Sequence, residues 1–193
     1  MSTWVISSEL RALLRLTGVV LLGLSPGELS AQLSLDEALR VAFPAPAMIE
    51  RRTAFLTRED LQVVQRHAGR DAPVTQSVVT YYVARRDGTP AGVAYFDSHR
   101  VRTLNEVVMI VVDPSDRIRT IEVLRFAEPP EYFPSRRWLH QFRGRPLNSE
   151  LSLKGSIATM TGATLTSSAV VRAARRILAL HAHIRPFQTA RRP

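Results

Sequence analysis

The chain has 193 residues, 45% of them apolar and 22% charged, with a formal charge of +9. That length fits one domain with a real core, and that composition excludes a low-complexity or disordered polymer. The absence of cysteine removes thiol catalysis, cysteine-ligated zinc, iron–sulfur clusters and disulfides together. The positive charge is almost wholly arginine, Lys154 being the single lysine. Guanidinium holds its charge and grips phosphate in two-pronged fashion, so acidic partners such as nucleic acid or an anionic membrane surface suit the chain.

Near the start, Arg11 and Arg15 precede the apolar run LTGVVLLGL, and SPGELSA follows with Pro26, Ser30 and Ala31. A charged region, an apolar region and a cleavage-like site come in the order of an export signal. Residues 1–31 therefore read as a signal peptide cut after Ala31, or as an uncleaved anchor. The run is shorter than the ~20 apolar residues of a membrane span. Export places the protein in the periplasm or on the outer side of a membrane, away from nucleic acid.

SLDEALRVAF opens with a capping box, Ser34 with Glu37 three residues on, and Leu35, Ala38, Leu39 and Ala42 share a helical face. MIERRTAFL reads as a strand, and TREDLQVVQRHAG as a helix from Thr57 to Gly69. SVVTYYVARR and AGVAYFDSHR alternate as strands across a turn at Asp87-Gly88. EVVMIVVD and RIRTIEVLRF form a second pair across Pro114. EPPEYFP reads as a loop, SRRWLHQFRG as a short helix ending near Gly144, and SAVVRAARRILALHAH as the terminal helix. Val170, Val171, Ala174, Ile177 and Leu178 form the apolar face of that helix. Consecutive hairpins with helices at both chain ends predict one α+β domain over residues 32–186, built on a mainly antiparallel sheet. Residues 187–193 read as a frayed basic tail.

No phosphate loop, dinucleotide turn or nucleophile elbow is present. His181 and His183, two apart on a helix, point in different directions and read as surface imidazoles, so no metal is expected. Met109 and Met160 read as packing residues. The remaining candidate is MTGATLTSS, Met160 to Ser168, where Thr161, Thr164, Thr166, Ser167 and Ser168 crowd a helix start beside Gly162. Free N–H groups and the helix dipole make such a start a cradle for phosphate. Taken alone, the local pattern favours an ordinary cap, with Thr166 or Ser167 starting the helix.

TGATLTS, residues 161–167, resembles the signature of the FMN-binding domain family. That family includes the flavin-bearing small subunits of the sodium-pumping NADH:quinone reductase and of the Rnf electron-transport complex. The likeness extends to LSLDEALRVAFP, FLTREDLQVV, the stretch from Asp97 to Phe133, and WLHQFRGRPL. It implies FMN as cofactor, joined through its phosphate to the Thr164 hydroxyl by a separate flavin transferase. Thr161, Gly162, Ala163, Leu165, Thr166 and Ser167 would surround the attachment. His99, Arg102 and Glu106 fall in a segment that lies near the flavin in the family, with Arg102 suited to offset phosphate charge and Glu106 to hold a nearby loop; the alternative is strand-end polar residues facing water. Tyr132 and Trp138 would pack on the flavin ring or in the core. One departure stands out: the family often has an acid three residues before the first signature hydroxyl, where this chain has Ala158. The resemblance implies an electron carrier or reductase component with a membrane-associated redox partner. The alternatives are a noncovalent FMN binder, or a cofactor-free scaffold of the same fold.

Overall fold

The computed structural model describes residues 33–188. The expected signal segment, and the tail beyond Gln188, lie outside the described residues. Helix α1 (Leu35–Ala42) and helix α2 (Arg58–Ala68) flank strand β1 (Met48–Phe55). Both helices begin in complete capping boxes, Ser34 with Glu37 and Thr57 with Asp60. Each box satisfies two orphan donors at a helix start, so short local motifs fix where these helices begin.

Strands β2 (Val78–Arg86), β3 (Thr89–Arg100), β4 (Asn105–Val112) and β5 (Ile118–Phe126) follow. The five strands form one antiparallel sheet in sequence order, each paired to the next. Asp87 and Gly88 both take positive φ (50° and 76°), the backbone that lets a two-residue turn follow the sheet's twist. The fold is the α+β domain that the hairpin pattern predicts.

Alternation along the strands sends side chains to two cores. On one face Tyr81, Val83, Val93, Tyr95, Val108 and Ile110 meet the C-terminal helices. On the other, Ala84, Ala94, Met109, Val111 and Leu124 meet Ala38, Leu39 and Phe43 of α1 and its exit. Helix α3 (Arg136–Leu139), continued by a 3₁₀ turn to Phe142, buries Trp138 and Phe142. EPPEYFP is a loop except for one 3₁₀ turn at Pro130–Tyr132, where Pro130 supplies the fixed φ at the turn's first position.

Helix α4 (Thr164–Ile184) is the longest element and lies across the sheet. Val170, Ile177, Leu178 and Leu180 are buried on it, each contributing roughly 1.5–3 kcal/mol of transfer free energy. It packs against α2, with Arg175 donating to Ala68 O at 2.8 Å and His183 Nε2 3.0 Å from Asp60 Oδ1. His181 is not a surface imidazole. It is 1% exposed, with Nδ1 3.0 Å from Tyr95 Oη and Nε2 3.0 Å from Asp116 Oδ1. Burial is the largest influence on His181 and holds its pKa below the ordinary value. Phe187, assigned by sequence to the frayed tail, stacks edge-on to His181 and packs on the core. Among the described residues, no helix is long and apolar enough to cross a membrane.

Candidate functional site

The chain between α3 and α4 is irregular, and long structureless connections in compact domains concentrate function. It is nonetheless tied down. Trp138 Nε1 donates to Ala158 O at 2.6 Å, and Ala158 N donates to Gln141 Oε1 at 2.9 Å. Arg175 reaches over from α4 to Asn148 O (2.7 Å) and Leu151 O (3.2 Å). These bonds deliver Thr159–Ala163 to the start of α4 in a defined path.

Helix α4 starts at Thr164, four residues earlier than the sequence pattern places it. Neither Thr166 nor Ser167 is its cap. Ala163 occupies the cap position, makes no side-chain cap bond, and no acid sits in the first turn. Ser167 instead turns inward, accepting from Met160 N at 3.0 Å and donating to Ala163 O at 3.1 Å. The hydroxyl thereby stitches the approach loop to the first helical turn and is spent on structure. Thr166 is 1% exposed, and its Oγ1 has no hydrogen-bond partner.

The remaining signature residues face out. Thr161, Gly162, Thr164 and Leu165 are exposed, and Ala163 is buried beneath them. Gly162 has φ 77°, a left-handed conformation that glycine adopts without strain and that turns the loop into the helix. A side chain there would meet nothing within 4 Å, so φ rather than crowding selects glycine. Thr164 thus presents its hydroxyl to solvent at the first residue of a long helix. The first-turn N–H groups beside it have no side-chain acceptor, and the dipole's positive end is uncompensated.

A cleft of about 790 Å³ opens one turn along the helix. Ser168, Arg172 and Arg175 of α4 line it, facing Arg70 and Asp71 after α2 and Lys154 of the irregular segment. Thr164, Ser168 and Arg172 are spaced four apart and form one stripe on the helix surface. The stripe leads from the exposed hydroxyl into a basic cavity.

Of the upstream candidates, Arg102 lies toward the same end of the domain, reached by a different route. Strand β3 runs antiparallel to α4, as the pairs Tyr95–His181 and Asp97–Arg176 require. The β3–β4 turn therefore points toward the N-terminal end of α4. That turn is closed by Val101 N to Leu104 O at 3.0 Å. Glu128, which sequence reasoning missed, holds it through Oε1, which accepts from the N–H groups of Arg102, Thr103 and Leu104 at 3.0, 2.7 and 2.8 Å. Its carboxyl is held below the usual range by these bonds, that of Leu104 foremost. Only an acid followed by a proline pair in AEPP hinted at it. Arg102 carries its guanidinium 4.6 Å over the Tyr132 ring, so Tyr132 supports a cation, and Trp138 belongs to the core.

His99 and Glu106 belong to a buried ionic cluster rather than to the loop. His99 Nδ1 lies 2.8 Å from Asp97 Oδ1 and its Nε2 lies 3.0 Å from Glu106 Oε2. Arg176 binds Asp97 through two bonds of 2.8 and 2.7 Å. Burial alone would raise the Asp97 pKa, but the bonds from His99 and Arg176 outweigh it and bring it to about 2. Burial would lower His99, yet its bonds to Asp97 and Glu106 raise it above the ordinary value. With a carboxyl group at each ring nitrogen, these surroundings favour the doubly protonated ring, which can donate to both. Glu106 is wholly buried, and its Oε1 has no partner. Arg176 stands about 18 Å along the helix axis from Thr164, which separates this cluster from that exposed threonine.

The residues present fit a phosphate-bearing cofactor. An exposed hydroxyl stands at an uncapped helix start, and a basic cleft adjoins it on the same helix face. Residues 105–179, from the start of β4 into the last third of α4, match the model of the FMN-binding domain. No curated protein and no solved structure matches the chain. The segment that carries Thr164, the cleft face of α4 and Glu106 thus belongs to the FMN-binding domain family, and FMN is its cofactor.

Proposed function

We propose that the protein is an extracytoplasmic electron carrier that holds FMN by a phosphoester to Thr164 and passes electrons between a membrane-associated donor and an acceptor. The observation carrying this reading is the Thr164 hydroxyl, exposed at the first residue of α4 with no capping side chain competing for the first-turn N–H groups. A phosphate ester there would be met by those N–H donors and by the positive end of the helix dipole. Bound FMN supplies one- and two-electron chemistry, and the protein supplies placement and electrostatics. A covalent tether suits an exported protein. Even a micromolar noncovalent site, worth ~8 kcal/mol, would lose its ligand to a dilute exterior. The signal-like residues 1–31 support the exported setting, and a separate flavin transferase would make the bond from a flavin whose phosphate carries a leaving group, the Thr164 oxygen displacing that group, which departs with the hydroxyl proton.

The test is expression of the full chain together with a flavin transferase, followed by denaturing gel electrophoresis and intact mass. Flavin fluorescence that survives denaturation, with one FMN adduct by mass, is expected for the wild type and lost in Thr164→Ala. Retention in Thr164→Ala, with loss in Thr161→Ala or Thr166→Ala, would move the attachment. A second reading, noncovalent FMN, is favoured by Ala158. Its methyl group stands where much of the family has an acid, and its backbone N–H and C=O are already engaged by Gln141 and Trp138. Flavin that co-purifies but is released on denaturation would select it.

A further inference from the structure

A second cavity, of about 610 Å³, opens along β5 between α1 and α3. No residue of α4 or of the TGAT stretch lines it, so it is separate from the site described above. Its volume falls in the range of small-molecule sites, roughly 300–1,000 Å³. The floor is apolar: Ala38, Met109, Ile121 and Leu139 line it and are buried. Val41 of α1 also lines it, yet is 67% exposed, because Ala38 and Leu39 carry the face that α1 turns to the sheet. An apolar guest on this floor would cover Val41 and release water from both.

The opposite wall is cationic. Burial of Trp138, Leu139 and Phe142 leaves Arg136, His140 and Arg143 on the outer side of α3 and its continuation, and all three line the cavity. They are exposed, and their side chains make no hydrogen bond or ion pair among the described residues. Arg119, in the same lining, is by contrast committed to the Ala42 and Ala91 carbonyls and to the Phe43 ring. The one acid of the lining, Glu122, accepts from Thr120 Oγ1 at 3.2 Å. Free guanidinium groups beside a buried apolar floor suit a guest with two unlike ends. We propose that this cavity binds an amphipathic anion, its aliphatic tail on the floor and its carboxylate or phosphate head at Arg136 and Arg143. The head would take charge-assisted, two-pronged hydrogen bonds, and the chain's formal charge of +9 would draw such anions in. The site does not depend on flavin at Thr164.

The test is isothermal titration calorimetry on the full chain, with probes kept below their micellar concentrations. Dodecanoate and lauroyl-lysophosphatidylglycerol carry one tail on a carboxylate and on a phosphate, and the tighter binder tells whether the source is a free acid or an anionic lipid. At least one of them should saturate at one molecule per chain. Dodecanol, which lacks the charge, and acetate, which lacks the tail, should bind at least about tenfold more weakly. Two variants at exposed positions address the two walls separately. Arg136→Gln combined with Arg143→Gln, and independently Val41→Asp, should each weaken the anion about tenfold. Arg51→Gln combined with Arg66→Gln removes the same charge elsewhere and should leave affinity unchanged. The proposal is overturned if neither anion saturates, or if dodecanol binds as tightly as they do. Unchanged affinity in the arginine pair or in Val41→Asp would overturn it as well, and so would an equal loss in the Arg51→Gln and Arg66→Gln control. Should one of the two wall variants fail to fold, the other decides.

Discussion

Replacing Asp97 by Asn tests the ionic cluster that pins β3 to α4. Asp97 is 3% exposed and receives two bonds from Arg176 and one from His99. By linkage, a carboxyl held at about 2 rather than the ordinary 3.8 contributes roughly 2.5 kcal/mol at neutral pH. Breaking a buried pair from one side has a higher typical cost, about 3–5 kcal/mol, because the remaining charges lose their counter-ion. The expected cost of Asp97→Asn at pH 7 therefore lies between about 2.5 and 5 kcal/mol. Its sign with pH is fixed. The folded pKa is depressed, so the contribution is fully present above 3.8 and is lost as pH falls through about 2. Near pH 3 roughly half of the linkage part should remain. Guanidinium unfolding of wild type and variant at pH 7 and pH 3 reads both quantities, provided the slope m is unchanged. A cost below about 0.5 kcal/mol at pH 7, the range of ordinary surface substitutions, would refute the reasoning. So would a cost that does not shrink with acid.

His99 should behave in the opposite sense. Its pKa is raised in the fold, so its stabilisation is complete below about 6.5 and is lost as pH rises through the higher folded value. The stability gap between wild type and His99→Gln should narrow toward alkaline pH, and an imidazole NMR titration with a midpoint at or below 6.5 would contradict this. Trp138→Phe removes the 2.6 Å bond to Ala158 O and should cost about 1–3 kcal/mol in chemical unfolding. An unchanged denaturation midpoint would show that the bond does not hold the approach to α4. Ser167→Ala leaves Met160 N without its acceptor. A loss of about 1–3 kcal/mol is expected, with faster amide hydrogen exchange at Met160.

The legible parts of this protein share a short range. Ser34 with Glu37 announced a helix start because a capping box closes within four residues, and Thr57 marked the second start, where the structure closes a like box with Asp60. Asp87-Gly88 announced a hairpin because its backbone demand is local. The start of α4 was misread for the converse reason. Hydroxyl residues ordinarily cap helices from outside, and only the Met160 N–Ser167 contact, made as the approach loop folds back, draws Thr164–Ser167 into the first turn.

What the sequence by itself determined is the list of elements, the antiparallel order, and the TGAT stretch that points to FMN. Tertiary structure alone decided which charges are spent and which are free. Asp97 and Arg176 lie far apart in the chain and meet only because α4 lies antiparallel to β3. In the run RAARR, Arg172, Arg175 and Arg176 are chemically identical, yet packing pairs two of them and leaves Arg172 facing the cleft. Partner choice depends on what a side chain meets across the fold, and that is set by the docking of whole elements rather than by neighbours along the chain.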